Sequence, residues 1–547
     1  MAIVIVDGKE VEIGDRERLN MIQAAARAGI DIPHYCWHPG LSVVASCRMC
    51  LVEAGRRDPD TGVITMGPKL VPACQTPATD GTVILTNTEK VARARAMVEE
   101  DLLIRHPIDC AICDKAGECL LQDYHFRYGQ ESRRADLKPF TSRRRDLGPT
   151  VTLFVDRCVM CSRCVRFCRE VAGTSELMIA GRGAHEEIDI VPGYPLANAL
   201  SGNVVDVCPV GALGDREFLY KQRVWFLRSH PHVCAGCASG CSIFIDENQD
   251  HIYRVRPRVN LAVNRWWICD EGRYGWKHVH DRGRLAGPVR QADGMRQNID
   301  WSSLVPELDA KLRGAGRLAV ALSPHLTVEE AYLLAKYARA IDPQALVGLG
   351  PIPAQGEDRA FPGGFTIRGE KCPNRRGVEA IASRLAGELV SWPAFLDRVA
   401  GGAFAAVWVS GGYTSEWNDE AAAARLAPVP LLIVQDSFSS PLLQRATYQL
   451  PAAAFAEREG SYVNCADRLQ SFRWAVRPPA GVMVEGQLYW RLLGLPGLYD
   501  ARRALDELAR QMIYFSAARQ PVPEQGVDLK VHLLAGAPSS GERPGPR

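Results

Sequence analysis

A chain of 547 residues is too long for one hydrophobic core, and roughly three to four domains of ~150 residues are expected. Apolar residues at 47% and charged residues at 23% are those of ordinary globular sequence, and a net charge of +2 gives no footing for nucleic acid or an anionic membrane surface. No apolar stretch approaches the ~18–20 residues that a membrane span needs, and the short run Met1–Val6 breaks at Asp7-Gly8-Lys9, unlike a secretory leader. A cytoplasmic chain is expected, reaching a membrane only through other subunits, and there 18 cysteines argue for metal or redox work rather than disulfides.

In chain order, AIVIV and KEVEI flank Asp7-Gly8, a two-residue hairpin turn. A helical run from about Arg18 to Ala28 stops at Gly29. Cys36, Cys47 and Cys50 then share one loop, and Cys74 follows at a distance. Three cysteines on a loop plus a distant fourth is the arrangement of 2Fe–2S ferredoxins, although the plant-type first gap is four residues rather than ten. A zinc site is the alternative, but zinc ribbons bring two Cys-x-x-Cys pairs and only one is present. The intervening RRDPDTGV, with Pro59, Asp60 and Gly62, suits a surface hairpin.

A helix from about Asn87 to Arg105 leads into HPIDCAICDKAGEC, which sets His106 beside Cys110, Cys113 and Cys119. Imidazole substitutes for thiolate in some iron–sulfur centres and raises their potential, whereas a lone histidine is usually a surface residue. Next, DRCVMCSRCVRFC places Cys158, Cys161 and Cys164 in a Cys-x-x-Cys-x-x-Cys run, which caps three irons of a cubane more readily than it converges on one zinc. In two-cluster ferredoxins the next cysteine, here Cys168, ligates the other cluster. That second motif should end at Cys208-Pro209 with cysteines at 198, 201 and 204, where Asn198, Ser201 and Val204 stand. Cys208 is left to close the first cluster, and Cys168 reads as a buried free thiol.

A fourth set is Cys234, Cys237, Cys241 and Cys269, with zinc again the alternative. From about Asp300 apolar strands (317–322, 404–412, 430–438) alternate with helices, one opened by a capping box at Thr327-Val328-Glu329-Glu330, which predicts a parallel α/β sheet. Gly348-Leu349-Gly350 is no dinucleotide loop, because Pro351 and Pro353 stand where its helix should begin. The Gly/Pro/Ser-rich tail from about Leu534 is predicted disordered.

The Cys36 loop, the HPIDC segment and DVCPVGAL (206–213) resemble the large iron–sulfur subunit of bacterial respiratory complex I, the G-type subunit. The Cys234 set and YQLPAAAFAEREGSYVN (448–464) resemble molybdopterin oxidoreductases. The resemblance implies a multidomain α+β and α/β chain. A β-grasp 2Fe–2S ferredoxin domain (1–85) would use Cys36, Cys47, Cys50 and Cys74. A 4Fe–4S domain with one histidine and three cysteines (86–140) would use His106, Cys110, Cys113 and Cys119. A 4Fe–4S ferredoxin-like domain (141–225) would use Cys158, Cys161, Cys164 and Cys208, and a molybdopterin-oxidoreductase-type 4Fe–4S domain (226–285) Cys234, Cys237, Cys241 and Cys269. A degenerate molybdopterin-oxidoreductase-like α/β scaffold (286–533) and the tail (534–547) follow.

The implied function is electron relay in NADH:quinone oxidoreductase through one 2Fe–2S and three 4Fe–4S clusters, with no catalytic residue and no molybdenum in this chain. FMN would sit on a partner flavin/NADH-binding subunit; a small 2Fe–2S subunit and 4Fe–4S subunits of the peripheral arm are the other partners, on the inner face of the cell membrane. Electrons would enter at the Cys158–Cys208 set and pass to the His106 set. Two alternatives stand beside this. A catalytic subunit of an NAD-linked formate dehydrogenase needs a molybdenum ligand, for which neither Cys372 nor Cys465 has the setting and 340–350 offers no Cys or Ser. A zinc-stapled interaction protein would have no redox role.

Overall fold

The computed structural model describes residues 1–530 apart from 133, 136, 293 and 294; the predicted tail from Leu534 lies outside the described residues. The chain forms two compact units, Met1–Leu227 with Phe361–Phe365, and Arg228–Ala360 with Thr366 onward.

The first unit opens with β1 (Ala2–Val6) and β2 (Lys9–Ile13), antiparallel from Ala2↔Ile13 to Val6↔Lys9. Asp7 and Gly8 both take positive φ, 44° and 84°, as a turn matched to strand twist requires. In β2 Val11 and Ile13 turn inward while Glu10 and Glu12 face out. α1 (Met21–Arg27) begins later than Arg18 because Asn20 caps it, exchanging side-chain and backbone hydrogen bonds with Gln23 in a capping box. β3 (Leu51–Arg57) and β4 (Ile64–Pro72) form the predicted hairpin, with Asp58 accepting from the amides of Asp60 and Thr61. β5 (Thr82–Leu85) completes a sheet of order β2-β1-β5-β3-β4, with β1 and β5 parallel. α1 and the inward residues Val4, Val6, Met21, Ile22 and Ile84 close a β-grasp core.

α2 (Glu89–Leu103), capped by Thr88, and α3 (Leu120–Tyr128), whose N-cap is Cys119, follow. The rest of the unit is a ferredoxin-like segment: β6 (Arg144–Asp146), β7 (Val151–Phe154), α4 (Arg163–Phe167), β8 (Leu177–Ala180), β9 (Glu187–Ile190), α5 (Asn203–Val207) and β10 (Leu213–Asp215). A single wide helical turn, Cys168–Ala172, extends α4.

The second unit starts with a three-stranded antiparallel sheet, Arg228–Val233, Ser242–Asn248 and His251–Pro257, that the sequence reading did not foresee. Its main body is a seven-stranded sheet. Strands Leu346–Leu349, Leu318–Leu322, Ala406–Ser410, Leu431–Asp436 and Tyr448–Pro451 run parallel in that spatial order, and Val289–Ala292 and Met295–Asn298 add an antiparallel edge. Alternate residues pack on opposite faces: Val320, Trp408 and Ile433 in one core, Ala319, Ala321, Val407 and Val434 in another. Such two-sided burial explains why these strands read as continuous apolar runs. Thr327 caps the helix Val328–Ile341 through the predicted box with Glu330.

Candidate metal centres

The first set is assembled by the β-grasp core. Cys36, Cys50 and Cys74 are buried and Cys47 half-buried. Cys36 lies within hydrogen-bonding reach of Cys47 and Cys74, and Cys50 of Cys74. That contact holds the Cys36 and Cys50 thiols below the usual range and pushes Cys47 and Cys74 above it. Ala45 and Arg48 adopt left-handed backbone (φ 52° and 59°), and the amides of Ser46 and Cys47 face the Cys36 sulfur. The distant Cys74 is fixed by the helix: Asn20 Nδ2, beside the oxygen that caps α1, donates to the Cys74 carbonyl at 2.9 Å.

In the second set His106, Cys110 and Cys119 line one cavity together with Leu103, Ile108 and Leu121. Cys113 is buried and is not among the residues lining that cavity, while Cys110 is the exposed member. Burial and then the Arg157 guanidinium push the His106 ring down to about 4, so it stays neutral, the form that ligates metal. Burial pushes the Cys119 thiol up to about 11, against the amides of Gln122 and Leu121 at the start of α3, which favour its thiolate. Arg157 pairs with Asp109 at 2.9 Å and lies over the Phe154 ring at 4.1 Å. Arg223 donates to the carbonyls of Cys110 and Cys113, each at 3.1 Å.

In the third set Cys158, Cys161, Cys164 and Cys208 share one cavity walled by Leu153 and Ile188. Met160 and Ser162 turn with positive φ (47° and 57°), and the Met160 amide donates to Cys158 Sγ at 3.3 Å. Cys208 ends α5. Burial pushes the Cys161 thiol up to about 11. Cys168 is fully buried and is not among the residues lining that cavity. Where a second ferredoxin motif would carry cysteines, Asn198 Nδ2 donates to Glu176 at 3.0 Å, Ser201 meets Thr150 at 2.8 Å, and Val204 is buried. The second and third sets adjoin, because Leu120 N–H donates to the Pro209 carbonyl at 2.9 Å.

The fourth set belongs to the second unit. Cys234 N–H donates to the Cys241 carbonyl at 2.8 Å, Gly236 N–H to Cys234 Sγ at 3.5 Å, and Gly272 N–H to Cys269 Sγ at 3.3 Å. Burial raises the thiols of Cys234 and Cys241 and pushes Cys269 up to about 12. The loop is laced to the α/β body: Ala238 N–H to the Glu370 carbonyl at 3.0 Å, Ser239 Oγ to the Thr366 carbonyl at 2.9 Å, and Gln470 Nε2 to the Gly240 carbonyl at 2.7 Å. Cys372 is buried beside Glu370, and the Cys465 amide donates to the Ala238 carbonyl.

These donor sets fit iron–sulfur clusters. Each gathers soft thiolate donors, one with a neutral imidazole, on turns whose amides face sulfur, which is how such centres are held and tuned. Among the described residues no three His, Cys, Asp or Glu side chains close on one ion-sized point. Glycine keeps room at the sulfurs: a Cβ on Gly211 would stand 2.2 Å from Cys113 Sγ, and one on Gly272 3.1 Å from Cys234 Sγ. The sequence reading missed the buried arginines, Arg157, Arg163 and Arg166. Their only signal was charge inside a motif otherwise bound for the interior, as in CSRCVRFC.

Comparison with known proteins follows the same order. Residues 3–89 match the family described as 2Fe-2S iron-sulfur cluster binding domain, 95–134 the NADH-ubiquinone oxidoreductase-G iron-sulfur binding region, and 148–214 the NADH-quinone oxidoreductase subunit 3 ferredoxin-like domain. Residues 227–281 match the molybdopterin oxidoreductase Fe4S4 domain and 390–482 the molybdopterin oxidoreductase family. The NADH-quinone oxidoreductase G-type subunit of Rickettsia typhi is 36% identical over 336 residues, 61% of this chain and 48% of the relative. The mitochondrial NADH dehydrogenase (ubiquinone) iron-sulfur protein 1 of Solanum tuberosum is 40% identical over 304 residues, 54% of this chain and 39% of the relative. One solved chain, from an NAD+-reducing NiFe hydrogenase in the H2-reduced state, aligns at 28% identity over 41% of this chain and 91% of that one, with a TM-score of 0.34. The chain spans about half the length, or less, of the curated relatives it matches. In domain order and in sequence, its likeness is to the large iron–sulfur subunit of NADH-quinone oxidoreductase.

Proposed function

We propose that this chain is an electron-transfer subunit of a respiratory NADH:quinone oxidoreductase. Cys36, Cys47, Cys50 and Cys74 would hold a 2Fe–2S cluster. Three 4Fe–4S clusters would rest on His106 with Cys110, Cys113 and Cys119; on Cys158, Cys161, Cys164 and Cys208; and on Cys234, Cys237, Cys241 and Cys269. Bound there, the clusters supply one-electron transfer, and the chain's own work is to fix their positions and potentials. Neutral His106 leaves its centre one unit less negative than four thiolates would. The amides at Cys36, Cys158 and Cys269 stabilise thiolate charge.

The observation that carries the reading is the convergence of cysteines far apart in sequence, Cys74 onto Cys36 and Cys208 onto Cys158, on turns that aim amides at sulfur. The four centres would occupy successive domains at 1–85, 86–140, 141–225 and 226–285, followed by the α/β scaffold at 286–533. Partners would be a flavin/NADH-binding subunit, a small 2Fe–2S subunit and 4Fe–4S subunits. No helix among the described residues is long and apolar enough to cross a membrane, so partner subunits would provide attachment at its inner face. The α/β body acts as a scaffold. At the carboxyl ends of its parallel strands, where such folds take ligands, protein side chains pack: His325 lies against Tyr413 at 4.8 Å, and Trp417 donates to Asp436 at 2.7 Å.

Iron and sulfide analysis with electron paramagnetic resonance (EPR) of the dithionite-reduced protein tests this. One 2Fe–2S and three 4Fe–4S signals are expected. A colourless protein with zinc in these sets would overturn the proposal, and stoichiometric molybdenum would favour the formate dehydrogenase alternative.

A further inference from the structure

α4 carries two arginines that no carboxylate among the described residues neutralises. Arg166 is 2% exposed, and its Nη2 donates to the Cys36 carbonyl at 2.5 Å and to the Cys161 carbonyl at 3.1 Å. Its Nη1 donates to the Ser42 carbonyl and its Nε to Ser162 Oγ at 3.3 Å. Arg163, 6% exposed, donates to the Trp37 carbonyl at 2.5 Å and to the Val207 carbonyl at 3.2 Å, leaving its Nε–H buried without an acceptor. Both guanidinium groups therefore reach the loop that carries Cys36; Arg166 joins it to the Cys161 loop, and Arg163 joins it to Val207, the residue before Cys208. Among the described residues neither arginine has a carboxylate within ion-pair distance. Glu170, the acid that Arg166 influences, is taken up by the amide and hydroxyl of Ser42 at 2.8 and 2.6 Å and by Arg169 at 3.1 Å.

A buried cation without an anion is strongly unfavourable, and carbonyl dipoles offset only part of that cost. We propose that Arg163 and Arg166 are the shared counter-charge of the 2Fe–2S centre and the Cys158–Cys208 4Fe–4S centre, bracing the ligand loops and raising both potentials together. This rests on the cluster assignment made above. The negative charge of the two thiolate-bound centres is the missing anion, and each electron added to either increases it. Five carbonyls from the ligand loops point at two guanidinium groups, so a change in one arginine is felt at both centres. Neither arginine ligates metal; both are positioning residues.

The test is an EPR-monitored redox titration of the full-length protein, parent against Arg166→Gln, Arg166→Lys, Arg163→Gln and Arg163→Lys, with iron counted in each. The Gln variants are expected to keep their iron while both centres become harder to reduce. At fixed potential the reduced-to-oxidised ratio should fall about tenfold, or about 59 mV for a one-electron couple. The Lys variants should stay close to the parent, and the Cys234-set signal should not move. Retained iron with neither potential shifted, a shift in only one of the two centres, or Lys falling as far as Gln would each overturn the inference. Should the Gln variants shed iron, the Lys variants decide. Both signals retained at parental potentials support a shared charge, whereas iron loss there makes the arginines simple braces and overturns it. A parent that lacks the signals altogether overturns the cluster assignment itself, an outcome visible before any variant is made.

Discussion

His106 and Cys168 show how much a single side chain's surroundings decide. Buried beside Arg157, the His106 imidazole is held neutral. His106→Cys puts a charged thiolate in its place, and the variant is expected to keep its cluster at a lower midpoint potential; a redox titration checks this, and an unmoved potential would count against His106 as a ligand. Cys168 lies outside the cavity that Cys158, Cys161, Cys164 and Cys208 enclose. Cys168→Ala is expected to leave iron content unaltered, whereas Cys161→Ala should lose about one cubane, and iron analysis of the pair distinguishes them. The closely spaced cysteines stood out in the sequence, because thiols at fixed short spacing have few other uses, and His106 stood out by preceding three of them. The arginines between them did not. Nothing in a linear pattern tells whether a guanidinium lies on the surface or reaches the carbonyl of a cysteine 130 residues away, as Arg166 does.

At the scale of elements, local chemistry was readable wherever it was self-contained. Asp7-Gly8 made its hairpin, and Thr327 made its capping box. Thr327→Ala removes the oxygen that accepts from Glu330 N–H at 3.1 Å and should lower the stability of the second unit by about 1–2 kcal/mol, read from a urea unfolding midpoint. The start of α1 was misjudged because its cap, Asn20, is chosen in part by a distant carbonyl, that of Cys74. The sheet formed by Arg228–Val233, Ser242–Asn248 and His251–Pro257 escaped notice for a similar reason. Its strands mix charged residues such as Arg254 and Arg256 with apolar ones, and those arginines are neutralised across the sheet by buried Asp246 at 2.7 and 2.6 Å.

At the scale of the whole molecule, the parallel character of the α/β sheet was legible from apolar strands alternating with helices, but its polar interior was not. Arg458 pairs with Glu485 at 2.7 Å and Arg284 with Glu457 at 2.6 Å, all four fully or nearly buried, and their partners lie in distant parts of the sequence. Glu329 is buried too, accepts from Ser461 N–H and Oγ–H, and burial pushes its carboxyl up to about 7. Below its unfolded value near 4.5 both states hold the proton. Between there and about 7 the unfolded chain releases it while the folded chain keeps it, so this group's contribution to stability declines as pH rises. Glu329→Gln should therefore flatten part of the fall in urea midpoint between about pH 5 and pH 7.5, and an identical slope in parent and variant would refute the assignment.

Asn20 joins two tasks that need not have been joined. Its oxygen starts the helix of the β-grasp core, and its amide nitrogen seats the loop that brings in the last sulfur of the first centre. The helix start and the seat of Cys74 thus share one side chain. On the proposed assignment, a chain in which that helix has not formed would lack the hydrogen bond that seats its fourth sulfur.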